Sequence, residues 1–349
     1  MTYLQTNDLV KIRFPSNLTK QYWAIEEKSK KTTFAVPKLA VLIAVACVKP
    51  RTREDLFYDL QKKYYYDINK IEKILNSLIS KNIIYELCHS QKFCNNVAKW
   101  RKSGWGAAAD YHFFTWDAPF LDYSKNGAGY DIDRKNMLRY HQEQEDRERC
   151  KSYSVFFNKL SLSEPISVSL PENIKKLLAI DRIKLLLSLA FGKSGEKPCH
   201  WSSVPLMRRT SPSGGCRHPT EGYFLSISNE IPKGIYHIQA DPTTLVHISH
   251  FSEDDHIFVN ESPTCLGAII LTSIFERNMY RYREPRTFRT IHMDTGHLIE
   301  TINMLAIEFG FEAIVQMNFD ENKILKRIQS SKFEEGVIAI ITLEEGISK

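Results

Sequence analysis

The 349 residues contain no Cys-x-x-Cys pair. The seven cysteines, at 47, 88, 94, 150, 199, 216 and 265, are odd in number and share no repeating spacing. This argues against a secreted disulfide framework and against a structural zinc site, and no other metal-ligand pattern stands out. Long hydrophobic runs are missing too. The most apolar early stretch, Phe34–Val48, contains Pro37 and Lys38 and is too short to span a bilayer. The first residues, MTYLQTNDLVKIRF, lack a charged start followed by an apolar core, so no signal peptide is expected and the reading is cytoplasmic. Neither a G-x-x-x-x-G-K-[ST] loop nor G-x-G-x-x-G occurs. Positive charge is in mild excess, net +6, well short of the concentrated basic stripe of a dedicated nucleic-acid binder. Such an excess is common in proteins that bind phosphorylated cofactors or acidic peptides.

What is present suits a globular chain: 43% hydrophobic and 25% charged residues, enough for a sizeable core. At roughly 100–200 residues per domain, the length suggests two domains. Residues 1–95 predict an apolar helix at Leu39–Val48, a second helix capped by Thr52, and a third capped by Asp67. The third carries Ile68, Ile71, Ile74, Leu75, Leu78 and Ile79 on one face. The strand NIIYEL follows, and this order resembles a winged helix. The polar face of the third helix offers Lys70, Glu72, Lys73, Asn76 and Ser77, with no arginine to read guanine. A peptide- or protein-docking module is preferred to DNA binding, with a purely structural appendage as the alternative.

Residues 96–160 predict a connector. It holds an aromatic cluster, including Trp100, Trp105, His112 and Trp116, as core or as the lining of a groove. The charged, helix-permissive stretch Asp131–Cys150 follows. Residues 161–349 predict a helix ending at Gly192, then strands GYFLSIS and GIYHIQ around the turn NEIPKG. Beyond these come the strands TTLVHIS and LGAIILTSIF, a helix ending at Gly310, and the strands FEAIVQMNF and GVIAIITLE separated by a short helix at Asn322–Gln329.

The stretch with the most chemistry is RRTSPSGGCRHP, from Arg208 to Pro219. Gly214 and Gly215 allow positive φ and a close backbone approach. Their amides can form an anion site, with Ser211 and Ser213 as hydroxyl donors and Arg208 and Arg209 for charge-assisted bonds. The bland alternative is an ordinary surface loop.

SPSGGCRHPTEGY followed by GIYHI resembles the SagB-type dehydrogenases, flavin-dependent relatives of the nitroreductases that act on ribosomally made peptides. Phe275–Phe311, FERNMYRYREPRTFRTIHMDTGHLIETINMLAIEFGF, is similar to that family's later motif. Trp105–Phe120 resembles the subgroup of peptide maturation dehydrogenases that carry an extra N-terminal domain. The resemblance implies an α+β nitroreductase-like fold with a mostly antiparallel sheet flanked by helices. It also implies FMN at the interface of a homodimer, a precursor peptide as substrate, and azoline-to-azole oxidation with hydride passing to flavin N5. A cyclodehydratase or another maturation enzyme is the implied partner; nucleic acid and membrane are not.

Residue by residue, Arg208, Arg209, Ser211, Ser213, Gly214 and Gly215 match the FMN loop. Arg286 and Arg289 match the paired arginines for the phosphate. Tyr282 matches the proton-abstracting tyrosine, its phenol expected to be acidified by a neighbouring cation; a hydrogen-bonded core tyrosine is the alternative. Arg281 stands where the family has lysine, and an arginine cannot serve as a base. At the start of the domain only Arg182 is available where relatives have Arg-Arg-Ser/Thr. Two other functions stay open: an NAD(P)H-dependent FMN reductase of dehydroamino acids in a peptide, and a flavin-free scaffold or peptide-binding partner.

Overall fold

The computed structural model describes residues 4–7, 10–15, 22–27, 32–49, 51–86, 99–115, 120–143, 150–168, 170–199, 201, 205–227, 229–251, 257 and 264–346. The chain divides into two compact units, residues 1–119 and 120–349. The boundary falls inside the aromatic stretch read as a connector.

In the first unit, β1 (Leu4–Thr6) pairs antiparallel with β5 (Ile84–Glu86). A separate three-stranded antiparallel sheet contains β2 (Val10–Arg13), β3 (Trp23–Glu27) and β4 (Thr32–Val36). The helices are α1 (Lys38–Ala46), α2 (Arg53–Tyr64) and α3 (Ile68–Ser80). The first helix runs over Lys38–Ala46, inside the expected region from Leu39 onward, and Phe34 and Val36 just before it belong to β4. Pro37 explains this: it pushes the preceding residue into the β region and sits at the N-cap of α1. The expected caps are formed. Thr52 Oγ1 accepts from the Asp55 amide, and Asp67 Oδ1 accepts from the Lys70 amide. Ile71, Leu75 and Leu78 of α3 pack with Leu4, Ile25, Leu39, Ile43 and Leu56. Lys70, Glu72, Lys73, Asn76 and Ser77 are exposed. The helix α4 (Gly106–Thr115) carries His112, which stacks on Trp100 at 5.5 Å between ring centroids. Trp116, Cys88 and Cys94 lie outside the described residues.

The second unit is built on a seven-stranded sheet, antiparallel throughout, in the order β13-β14-β12-β9-β10-β11-β6. Its strands are β6 (Asn158–Ser161), β9 (Thr220–Ser226), β10 (Gly234–Ala240), β11 (Thr243–His250), β12 (Cys265–Ile274), β13 (Phe311–Gln316) and β14 (Glu335–Glu345). A small ribbon of β7 (Gly195–Lys197) and β8 (Leu206–Arg208) precedes them. The helices are α5 (Gly129–Glu143), α6 (Ala179–Phe191), α7 (Phe275–Arg281), α8 (Phe288–Phe309) and α9 (Glu321–Arg327).

Strand alternation divides the apolar residues between two faces. Phe224, Tyr236, Leu245, Ile269 and Ile341 pack against Leu186 of α6 and Ile302 of α8. Tyr223, Leu225, Ile235, Val246 and Ile270 pack against Ile324 and Leu325 of α9. Helix α8 ends where the sequence places it: Gly310, at φ +80°, adopts the left-handed C-cap conformation. Its start is earlier than the DTGHL stretch, because the turn Pro285–Thr287 runs directly into Phe288. Arg182 is committed to this helix end, donating from Nη1 to the Phe309 carbonyl (2.8 Å) and from Nη2 to Glu345 Oε1 (2.5 Å). It is therefore unavailable to grip a phosphate. Among the described residues no helix is long and apolar enough to cross a membrane.

Candidate functional site

The loop between β8 and β9 holds its shape through side chains as well as turns. Gly215, Cys216 and His218 all have positive φ, at +61°, +52° and +45°. A left-handed conformation in the two non-glycine residues costs energy that their surroundings must offset. Asp294 of α8 does much of this. Its carboxylate accepts from Ser213 Oγ (2.7 Å) and from the Gly214 amide (3.1 Å), while Ser213 Oγ accepts from the His218 amide (2.9 Å). Burial raises the Asp294 pKa, and the bonds from Ser213 and Gly214 oppose it.

The loop thus folds around a carboxylate of its own chain. The anion site that the sequence assigns to Gly214 and Ser213 has an internal occupant. Two other donors lack one. Ser211 Oγ and Arg209 Nε make no hydrogen bond among the described residues. Both residues line a cavity of about 20 Å³ together with Ser213, His218, Asp294 and Leu298. That space holds about one water molecule. Arg209 Nη1 donates to the Thr220 carbonyl (3.3 Å).

Tyr282, the C-cap of α7, comes to the same place. A Cβ on Gly215 would collide with the Tyr282 hydroxyl, so the bare glycine backbone is what lets the phenol approach. The expected acidification of Tyr282 is not found. Burial raises its pKa and outweighs the lowering effect of Arg281 and Arg217. Arg281 is itself engaged, with Nη2 donating to Asp133 Oδ2 of α5 at 2.6 Å. Its guanidinium lies 4.8 Å from the Tyr282 ring centroid and 5.4 Å from that of Trp201.

The remaining candidates are more scattered. Arg208 is exposed on β8 and its carbonyl accepts from the Ser194 amide. Arg286 lies over the Phe120 ring at 4.9 Å, and Arg289 is half-buried in the first turn of α8. Neither lines the cavity.

Sequence reasoning missed the buried charges beneath the loop. Arg277 of α7 donates from Nη1 to Glu221 Oε1 (2.5 Å) and to the His218 carbonyl (2.8 Å). Glu221 Oε2 lies 2.7 Å from His237 Nε2, and Arg217 Nε donates to the Arg277 carbonyl (2.8 Å). Burial tends to raise the Glu221 carboxyl, but Arg277 and His237 outweigh it and hold it well below the usual range. His218 is desolvated, its pKa lowered to about 3 with Arg209 adding to the effect. It is therefore a neutral imidazole, whose Nε2–H donates to the Met207 carbonyl (3.1 Å). The signal for this cluster was available: Glu221 is the one charged residue of the strand Thr220–Ser226, and Arg277 lies three residues after the strand that ends at Ile274.

As a donor set the site suits a flavin in kind. Ser211 and Arg209 carry unpartnered donors, Tyr282 supplies a phenol, and the Gly215 backbone is exposed beside it. The enclosed space alone is too small for such a group, so a ligand of that size would lie on the open side of the loop.

No family model matches the sequence. Over 132 residues the chain is 33% identical to the trifolitoxin-processing protein TfxB of Rhizobium leguminosarum bv. trifolii. The match spans 35% of this chain and 35% of that curated relative. Among solved structures, a candidate nitroreductase from Anabaena variabilis has a TM-score of 0.47 at 21% identity, covering 60% of this chain and 46% of that one. A chain of the E. coli microcin synthetase McbBCD complex with truncated pro-MccB17 bound has a TM-score of 0.41 at 20% identity, covering 60% and 82%. A candidate nitroreductase from Ralstonia eutropha has a TM-score of 0.38 at 14% identity, covering 58% and 91%. In sequence the chain is therefore similar, over about a third of its length, to a trifolitoxin-processing protein.

Proposed function

We propose that this chain is an FMN-dependent oxidoreductase acting on a ribosomally synthesised precursor peptide, as a homodimer within a maturation pathway. The observation that carries the reading is the contact of the Tyr282 hydroxyl with the Gly215 backbone. It unites two motifs far apart in sequence, beside donors that have no partner of their own. Similarity to a trifolitoxin-processing protein supports a peptide as substrate.

The loop Arg208–Gly215 would hold the cofactor on its open side, where the Gly215 backbone is exposed, with Arg286 and Arg289 assisting at its phosphate. FMN, when bound, supplies hydride exchange with the substrate. The chain would supply the proton chemistry, a role this reading gives to Tyr282. In the dehydrogenase reading, an azoline becomes an azole and Tyr282 must accept the proton that leaves the ring carbon.

One observation favours the opposite direction. Burial keeps the Tyr282 phenol protonated, which suits donation to a dehydroamino acid during reduction. The first unit, with Lys70 and Lys73 exposed on α3, is assigned to docking the leader part of the peptide. Unchanged peptide affinity in the folded Lys70→Glu/Lys73→Glu variant would remove that assignment.

The test of the cofactor reading is the visible absorption spectrum of the purified protein, with the released chromophore identified after denaturation. FMN bound at one per chain is the expected result. A colourless protein that takes up no added FMN would leave the scaffold alternative in its place.

A further inference from the structure

The charged segment Asp131–Cys150 has, in its helical part, a specific task. Helix α5 is fastened to the chain around Tyr282 at two points. Asp133 holds Arg281, with the two side chains 18% and 13% exposed. Glu143 Oε2 accepts from Arg283 Nη1 (2.7 Å), and that guanidinium also sits 3.8 Å from the Tyr140 ring centroid. Met137, between them, is buried.

Resting on the reading that Tyr282 exchanges a proton with the substrate, we propose that Asp133 is a positioning residue. By pairing with Arg281 it holds that guanidinium beside the Tyr282 ring and offsets part of its charge there.

The argument is electrostatic and geometric. Among the described residues, the charged groups that act on Tyr282 are Arg281 from its own element, Arg217 from the glycine loop, Asp133 from α5 and Asp294 from α8. Arg283, the next residue, has its own partner in Glu143. Two cations are thus set against two anions; the pull of Arg281 and Arg217 on the phenol exceeds the push of Asp133 and Asp294, so the carboxylates offset the cations only in part. Burial then decides in favour of the neutral form. Arg281 cannot take up the proton role, because a guanidinium does not serve as a base. Tyr282 Oη gives its proton to an electron pair on the substrate, and the phenolate recovers a proton from water. Asp133 lies far upstream of the motifs that suggest the site.

The experiment is a spectrophotometric titration at the tyrosinate band on the full-length protein, each variant measured against its Tyr282→Phe counterpart to isolate this phenol. Asp133→Asn should move the midpoint down by about half a pH unit or more, since Arg281 is left uncompensated. Asp133→Glu should stay near wild type. Arg281→Gln should move the midpoint up, and Asp133→Asn/Arg281→Gln should cancel the downward shift. An unchanged midpoint in Asp133→Asn, or a downward shift that persists in the double variant, overturns the proposal. If Asp133→Asn fails to fold, an unchanged or lowered midpoint in Arg281→Gln overturns it instead. The titration needs no cofactor. A colourless preparation would count against FMN chemistry while leaving the answer on Asp133 intact.

Discussion

The hydroxyl of Tyr282 rests against the backbone of Gly215, in the space that any other residue's Cβ would fill. Gly215 also has φ +61°. Gly215→Ala is therefore expected to be penalised twice, by about 1–2 kcal/mol for the left-handed backbone and further by displacement of the phenol. Thermal denaturation would show the loss of stability, and reduced FMN uptake in the same variant would show that the phenol and the loop form one site. Wild-type stability and uptake would separate them.

Arg277 and Glu221 are each at most 2% exposed, so neither can turn to water if the other is removed. Glu221→Gln or Arg277→Met should each cost about 3–5 kcal/mol. Their double variant should lose clearly less than the sum of the two. Urea denaturation of the four proteins gives the coupling directly, and additive losses would mean that the pair is not a unit.

His218 makes stability depend on acidity. Its folded pKa, about 3, lies below the ordinary value of 6.5, so the unfolded chain binds the proton more readily. The contribution is fully present above pH 6.5 and is lost as pH falls towards 3, at about 1.4 kcal/mol per unit. His218→Gln keeps an N–H donor for the Met207 carbonyl and removes the titration. Its stability should fall less steeply than wild type between pH 6.5 and 5, a comparison made by urea melts at each pH.

In the first unit, Thr52 Oγ1 accepts from the Asp55 amide at 3.1 Å. Thr52→Ala should cost about 1 kcal/mol. Hydrogen exchange should show the loss as faster exchange in the first turn of α2, with α8 unaffected.

The elements with strong local signals were legible in the chain itself. The caps at Thr52 and Asp67, the stop at Gly310 and the hairpin of β9 and β10 follow from side chains and turns acting within a few residues. The strands before α1 were not read, because strands of three to five residues carry little periodicity and β1 pairs with the distant β5. The loop at Arg208–Pro219 and the Tyr282 motif could each be picked out by residue type, and their meeting could not.

What the sequence determined by itself was the set of chemically unusual residues and the local elements that carry them, since propensity, capping and turn chemistry act over short range. Tertiary structure decided which groups are free. Asp294 takes the Gly214 amide, Asp133 takes Arg281, and Arg182 closes the end of α8. The protonation of Tyr282 and the burial of Arg277 with Glu221 were likewise set by packing. Charge and desolvation act through space, and only the folded chain fixes which charges are neighbours and how much water reaches them.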